Sequence, residues 1–213
     1  MRDANCPDGD AGSAAETEQR VAPRFTLLLR MAKIVTEAGE FLCIVRDVSE
    51  TGVSVKLFHP LAEGGRMVLE FPNGDRHDIQ PVWQESGKAG FRFGQPIDIA
   101  RLIEGPSDYP KRPVRVNVAV PAELLVSGQP IAADIRNLSQ QGALLGCAER
   151  LPIFQRVVLR AEGMPDIHAK VRWRRQEECG LVFEDTFQFG ELAEVVFHLN
   201  TVHGRDAENG AGE

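Results

Sequence analysis

The length, composition and charge of the chain limit its class before any motif is considered. Its 213 residues, 43% of them hydrophobic and 26% charged, suit one large globular domain or two of about 100 residues each. A net charge of −7 argues against general binding to nucleic-acid backbones, which requires a basic face. No run of residues approaches the ~20 apolar positions of a membrane-spanning helix, so we expect no membrane span.

The N-terminal residues 1–18 are polar, acidic and small, and we predict a disordered tail there. They lack the basic and then apolar pattern of a secretory signal, which favours a cytoplasmic protein. The cysteines Cys6, Cys43, Cys147 and Cys179 form no close-set pair, so we expect no metal site. Cys43 and Cys147 lie in apolar runs and are predicted to be buried thiols.

Residues 19–105 are predicted to form an all-β domain. Short runs of β-forming residues are separated by glycines, and Asn73-Gly74 between two such runs is a strong hairpin signal. Six short strands at roughly regular spacing favour a small antiparallel barrel. The predicted strands cover residues 25–35, 40–46, 53–58, 66–71, 77–84 and 89–93.

A second domain is predicted over residues 106–203. A cluster of Gly, Pro, Ser and Asp at residues 104–110 marks the boundary. Within the second domain, residues 167–173 alternate between apolar and polar positions, as a half-buried strand does. This alternation places Trp173 on the apolar face, and we interpret both Trp173 and its counterpart Trp83 as core residues.

The C-terminal part of the second domain predicts a helix over residues 187–202. Its apolar side chains have the three- and four-residue spacing of an amphipathic helix. The helix is expected either to pack on its own barrel or to form a dimerising surface, which leaves a homodimer open. Residues 204–213 are predicted to be a second disordered tail. The apolar positions of the helix are Leu192, Val195, Val196 and Leu199.

The two predicted domains are copies of one another. Several landmarks recur at one offset of 90 positions, which is difficult to obtain by chance. A single repeat of this length is not a solenoid, whose repeats run about 20–50 residues. The landmarks are residues 46–53 and 136–143, Trp83 and Trp173, and residues 90–93 and 180–183, with Arg24 and Arg115 at an offset of 91.

The first copy carries two groups of polar residues at a defined spacing. Arg20 and Arg24 lie just before the first strand and form an RxxxR pattern. Asp47, Ser49 and Gly52 follow as a DxSxxG pattern that begins 23 positions after Arg24. Each pattern alone is weak, because Asp, Ser and Gly are common in ordinary turns.

The second copy repeats both patterns with one departure. A lysine stands at the first basic position, and an arginine follows one residue later. Lysine lacks the bidentate fork of arginine, so the exchange is not conservative. Either this lysine holds a phosphate, or the following arginine reaches the ligand after a shift of one residue. The candidate residues of the second copy are Lys111, Arg112, Arg115, Asn137, Ser139 and Gly142.

The pairing of the two patterns, found twice, resembles the signature of the PilZ domain family. The resemblance covers roughly residues 19–103 and 108–200. It implies two tandem six-stranded antiparallel PilZ-like β-barrels and a receptor or adaptor that binds the second messenger cyclic di-GMP. It also implies that nucleotide binding to these motifs alters domain or partner packing. The ligand-site residues that it implies in the first domain are Arg20, Arg24, Asp47, Ser49 and Gly52.

The chemistry of the ligand agrees with these residue types. Guanine presents O6 and N7 as adjacent acceptors, and a planar guanidinium can contact both or pair with a phosphate. The carboxylate of Asp47 provides two acceptors for the N1–H and N2–H donors of guanine, whereas Asn137 cannot duplicate that pairing. The two motif serines are expected to bond either to ligand or to turn backbone. The two motif glycines are expected to supply an unusual backbone geometry or to let the ligand approach closely.

Two alternatives stay open at the level of sequence. The first is a PilZ-type protein-interaction adaptor that does not bind nucleotide, and an unidentified protein partner is expected in either case. The second, an enzyme, has little support, because the histidines show no metal-ligand spacing and no nucleophile lies in a recognisable motif. We therefore expect no enzymatic activity, no cofactor and no metal.

Overall fold

The structure of the protein, a computed structural model, describes residues 25–62, 64–104 and 113–209. Within these residues the chain forms two closed antiparallel β-barrels of six strands each. A helix follows each barrel. The predicted fold class, two tandem six-stranded barrels with a C-terminal helix, is confirmed. The predicted N-terminal tail lies outside the described residues.

The first barrel has the strand order β1-β2-β3-β6-β5-β4, and β1 closes it by pairing with β4. Its strands agree with those predicted from sequence, and Gly74 has the positive φ of 88° expected in the Asn-Gly hairpin. A short helix, α1 (Ile99–Glu104), follows and is capped by Asp98, whose Oδ1 accepts a hydrogen bond from Ala100 N. The strands are β1 (Phe25–Thr36), β2 (Gly39–Ser49), β3 (Gly52–Leu57), β4 (Met67–Glu70), β5 (Arg76–Glu85) and β6 (Lys88–Phe93).

The second barrel repeats this topology and ends in a longer helix, α2 (Phe189–Asn209). Glu191 caps α2 by accepting a hydrogen bond from Gln188 N at 2.8 Å. Helix α2 extends to Asn209, and the predicted domain bounds, with a tail from residue 204, stay a prediction. The strands are β7 (Val116–Val126), β8 (Gln129–Ser139), β9 (Gly142–Gly146), β10 (Arg156–Arg160), β11 (Ile167–Arg175) and β12 (Glu178–Phe183).

Each barrel encloses its own apolar core. The strands place alternate side chains inside, so β3 buries Val53, Val55 and Leu57 and turns the residues between them outward. The predicted burial of Cys43 and Cys147 is confirmed. Burial also raises the pKa of the Cys43 thiol, which favours its neutral form.

The two barrels contact each other through a carboxylate at the start of β2. Glu40 accepts hydrogen bonds from the backbone N and the Nδ2 of Asn117 on β7, both at 2.8 Å. The same carboxylate pairs at 2.8 Å with Lys33, which is buried and also lies 3.1 Å from Glu70. The second barrel is therefore bonded to a charge network whose other members belong to the first barrel.

Helix α2 lies against both barrels, contacting β2 of the first and β7 of the second. Its fully buried residues Leu192, Val196 and Leu199 belong to the core of the second barrel. On the first barrel, His59 stacks on Phe197 with ring centroids 3.8 Å apart. The apolar face of α2 is thus covered within the chain, and it packs on more than its own barrel.

Candidate functional site

A shallow cleft of about 190 Å³ opens on the outer surface of the first barrel. It lies where the β2–β3 hairpin faces β5 and β6. The structure brings the predicted residues Asp47, Ser49 and Gly52 together in its wall and adds Trp83 and Arg92 from the neighbouring strands. The cleft is open to solvent, as a site for a polar ligand requires.

The floor of the cleft is one row of residues across four neighbouring strands. Asp47 on β2 lies opposite Ser54 on β3, and Ser54 lies opposite Gly90 on β6. Gly90 in turn lies opposite Trp83 on β5. The Ser54 hydroxyl donates a hydrogen bond of 2.9 Å to Asp47 Oδ2, which orients the carboxylate. The row therefore runs from an oriented anion at one end to an aromatic ring at the other.

The hydroxyl of Ser49 holds the hairpin turn together. It accepts a hydrogen bond from Gly52 N at 3.1 Å and donates one to Gly52 O at 3.3 Å, and the residue is buried. Ser139 donates the same bond to Gly142 O in the second barrel. The sequence left open whether the motif serines bond to ligand or to turn backbone. The structure shows the bond to the turn backbone.

The two motif glycines are required by a neighbouring strand. A Cβ at Gly52 would lie 2.9 Å from Phe91 O, and one at Gly142 would lie 2.1 Å from Leu181 O. Neither glycine is among those with positive φ. The structure thus shows that both glycines are needed for packing, because β6 or β12 passes close to them. The approach of the ligand, which the sequence suggested, stays a prediction.

Trp83 and Trp173 are not core residues, so that interpretation was wrong. Their side chains are 45% and 44% exposed. In each barrel the register shifts by one residue directly before the tryptophan, between Val171 and Trp173 in the second. The bulge reverses the inward and outward alternation, so that Trp173 points outward although Val171 points inward.

The second barrel builds the same arrangement with different chemistry. Asn137 replaces the aspartate, and Leu144 replaces the serine that bonds to it in the first barrel. Arg115 is exposed and directly precedes β7, whose second residue, Asn117, lies opposite Asn137. We name the equivalent surface of the second barrel, the row Asn137–Leu144–Gly180–Trp173, the second cleft, and it lacks the oriented carboxylate of the first.

The family can be assigned from the two copies. A family model for the PilZ domain matches residues 18–104 and again residues 110–198. The chain belongs to the PilZ family. Domains of this family are receptors or effectors rather than enzymes, and the prediction that the protein is not an enzyme agrees with this assignment.

Several solved structures are similar to both PilZ domains of this chain at low identity. The PlzA protein of Borreliella burgdorferi, solved in complex with c-di-GMP, is 11% identical over 80% of this chain and 87% of that one, with a TM-score of 0.35. The Bacillus subtilis inhibitor of motility, MotI/DgrA, is 12% identical over 83% and 97%, with a TM-score of 0.34. YcgR of Escherichia coli, in complex with c-di-GMP, is 12% identical over 85% and 87%, with a TM-score of 0.30. No curated protein matches the chain.

Four predicted site residues, Arg20, Arg24, Lys111 and Arg112, lie outside the residues that the structure describes. Arg24 precedes Phe25 in the sequence, and Phe25 lies opposite Val48, the neighbour of Asp47. The first described residue of the first PilZ domain is thus already at the edge of the cleft.

Ser54 and Arg92, which also line the cleft, were missed from sequence. Ser54 could have been found, because β3 alternates and the two-residue turn pairs Ser49 with Gly52, which brings Ser54 opposite Asp47. Arg92 carries no comparable signal, since its place in the cleft depends on the pairing of β6 with β3.

The described residues also limit other kinds of site. Across the described ranges, no three His, Cys, Asp or Glu side chains form a group that could hold a metal ion. Over the same ranges, no helix is long and apolar enough to cross a membrane.

Proposed function

We propose that this protein is a cytoplasmic receptor for cyclic di-GMP and that the cleft of its first PilZ domain is the principal binding site. The observation that carries the proposal is the row Asp47–Ser54–Gly90–Trp83, which follows an RxxxR segment in a PilZ domain. The bond from Ser54 orients the Asp47 carboxylate, and a carboxylate is an acceptor that suits the N–H donors of guanine.

The arginines Arg20 and Arg24 complete the site in this proposal. The ligand is a dianion, and Asp47 in the cleft is itself negative, so binding is favoured by cations beside the cleft, and the preceding segment supplies two. Guanidinium groups contact phosphates and the acceptor edge of guanine bidentately. The half-exposed indole of Trp83 offers an apolar surface at the other end of the row.

Binding is proposed to change how the two PilZ domains, or a partner protein, pack together. The second cleft is adjacent to the contact between barrels, since Asn117 lies opposite Asn137 and is bonded to Glu40. A ligand that closes an arginine segment on a barrel can convert binding into a new surface. The protein partner and a homodimer stay predictions.

The test is calorimetric titration of the intact protein with cyclic di-GMP. Arg24→Ala and Asp47→Ala each remove charge-assisted hydrogen bonds, so we expect each to weaken binding by about tenfold to a hundredfold. Arg150→Ala, which removes an exposed arginine from the second barrel, is the matched control and should bind as the unaltered protein does. Guanosine monophosphate serves as the control ligand.

The outcome separates the receptor from the nucleotide-free adaptor. Unchanged affinity in both Arg24→Ala and Asp47→Ala would contradict the assigned site. If the unaltered protein takes up no nucleotide although circular dichroism shows it folded, the adaptor function is the correct one.

A further inference from the structure

Each barrel carries one arginine and one valine beside its tryptophan, but in opposite positions. In the first barrel the cleft is lined by Val82 on β5 and Arg92 on β6. At the offset of 90 that relates the two copies, Arg172 occupies the place of Val82, and Val182 occupies the place of Arg92. Both barrels therefore carry an arginine and a valine at these two places, but the strand that carries the arginine in one barrel carries the valine in the other.

The strands that exchange these residues are hydrogen-bonded neighbours. On β5 the bulge residue is Val82, between Pro81 and Trp83. On β11 the bulge residue is Arg172, between Val171 and Trp173. The residue directly before the tryptophan lines the cleft of the first barrel, so the same position in the second barrel directs Arg172 to the second cleft.

No structural role is found for Arg92 or Arg172. Both are exposed, and the ion pairs found across the described residues include neither of them. The valines are also exposed, to 60% at Val82 and 40% at Val182, and each lies on a strand next to the one that carries the arginine. A cation beside an exposed apolar surface suits a ligand with a phosphate and a base.

We propose that Arg92 in the first cleft and Arg172 in the second are ligand-contacting residues that supply the same phosphate contact from different strands. The inference rests on the proposed function and deepens it, because it adds a binding residue to each cleft outside the two sequence motifs. A guanidinium on either strand can pair bidentately with a phosphate oxygen pair.

The second cleft depends on this contact more than the first does. It lacks the aspartate and its serine partner. Its tryptophan strand instead carries Arg172 and Arg174, both exposed, where β5 has Val82 and Gln84. The formal charge of these two positions rises from 0 to +2, which favours an anion at the second cleft.

The experiment uses the intact chain with the first cleft silenced by Arg24→Ala together with Asp47→Ala, titrated with cyclic di-GMP by calorimetry. In this background Arg172→Val, which installs the residue of the first barrel, should weaken the remaining binding by about tenfold to a hundredfold. Adding Val182→Arg should restore the affinity to within about threefold, since it recreates the arrangement of the first barrel.

The control is Arg175→Ala, which removes the same charge at the end of the same strand, two rows from Trp173. It should change affinity by less than about threefold. A merely structural role for Arg172 would not be rescued by an arginine on the neighbouring strand.

The failures can be told apart. No binding by the unaltered protein overturns the proposed function and this inference together. Binding that disappears in the silenced background, or that is unaffected by Arg172→Val, overturns the inference and leaves the first cleft in place. Equal losses in Arg172→Val and Arg175→Ala also overturn it, because they would indicate a general field and no specific contact.

Discussion

In each barrel a half-exposed tryptophan lies over a glycine of the neighbouring strand, and the lack of a side chain on that glycine leaves space for the indole ring. A Cβ at Gly90 would lie 2.1 Å from Trp83 Nε1, and a Cβ at Gly180 would lie 2.1 Å from Trp173 Nε1. Each indole therefore lies directly across a glycine on the neighbouring strand. An aromatic ring that covers a glycine on the neighbouring strand supplies the apolar contact that the glycine cannot make itself.

We predict that Gly90→Ala displaces Trp83 and weakens cyclic di-GMP binding. A methyl group cannot occupy space 2.1 Å from the indole nitrogen, so the ring has to move, at a cost of about 1–3 kcal/mol in the free energy of unfolding. Calorimetry and tryptophan fluorescence measure the two effects.

Gly94→Ala is the matched control for this substitution. A Cβ at Gly94 would lie 3.5 Å from Asp78 Cβ, an ordinary van der Waals contact. It should leave fluorescence and affinity unchanged. Equal binding by the two alanine variants would show that the position of Trp83 does not matter for the ligand.

At the scale of elements, α2 belongs to the second barrel through its core and to the first through its surface. Leu199 is fully buried in the core of the second barrel. The next residue, Asn200, donates a hydrogen bond of 3.0 Å from Nδ2 to Glu40 O in the first barrel. Because a Cβ at Gly39 would lie 2.8 Å from Asn200 Nδ2, the hairpin of the first barrel also needs a glycine there.

We expect Leu199→Ala to lower the free energy of unfolding by about 2–5 kcal/mol, the range for a large buried side chain cut back to alanine. His198→Ala on the exposed side of α2 should change it by no more than about 0.5 kcal/mol. Urea denaturation followed by circular dichroism measures both. A small loss for Leu199→Ala would mean that α2 is not packed on the barrel.

At the scale of the whole molecule, the barrels are joined end to end. Glu40 lies at the opposite end of β2 from Asp47, about 24 Å away at the rise of an extended strand. It contacts Asn117, which neighbours the second cleft. One end of the first barrel therefore carries the proposed ligand cleft, and the other end contacts Asn117 beside the proposed second cleft.

We predict that Glu40→Ala loosens the contact between barrels, because it removes two charge-assisted hydrogen bonds to Asn117. The expected result is a larger radius of gyration in small-angle scattering. We also expect the two barrels to unfold in two separate steps. Glu70→Ala is the matched control, since Glu70 pairs with the same Lys33 and, among the described residues, forms its ion pairs within the first barrel. If both variants are equally compact, the Glu40 contact does not hold the barrels together.

Much of the architecture could be predicted from the sequence, because its signals are local. The alternation over residues 167–173 and the Asn-Gly hairpin each depend on nearby residues, and the 90-residue repeat is visible by comparing short stretches of sequence, so they indicated the strands and the duplication correctly. The residues of the Asp47 turn were found for the same reason. The arginine segment was found as a pattern, and its role stays a prediction.

The sequence by itself determined that this chain is two copies of one small barrel with a polar turn in each. Tertiary structure alone decided which side chains share a cleft: Trp83 faces outward because of a bulge, and Arg92 reaches the turn only through the pairing of β6 with β3. It also decided that α2 contacts both barrels and that Glu40 bonds to Asn117. The physical reason is that strand pairing joins residues far apart in the chain, whereas periodicity reports only on neighbours.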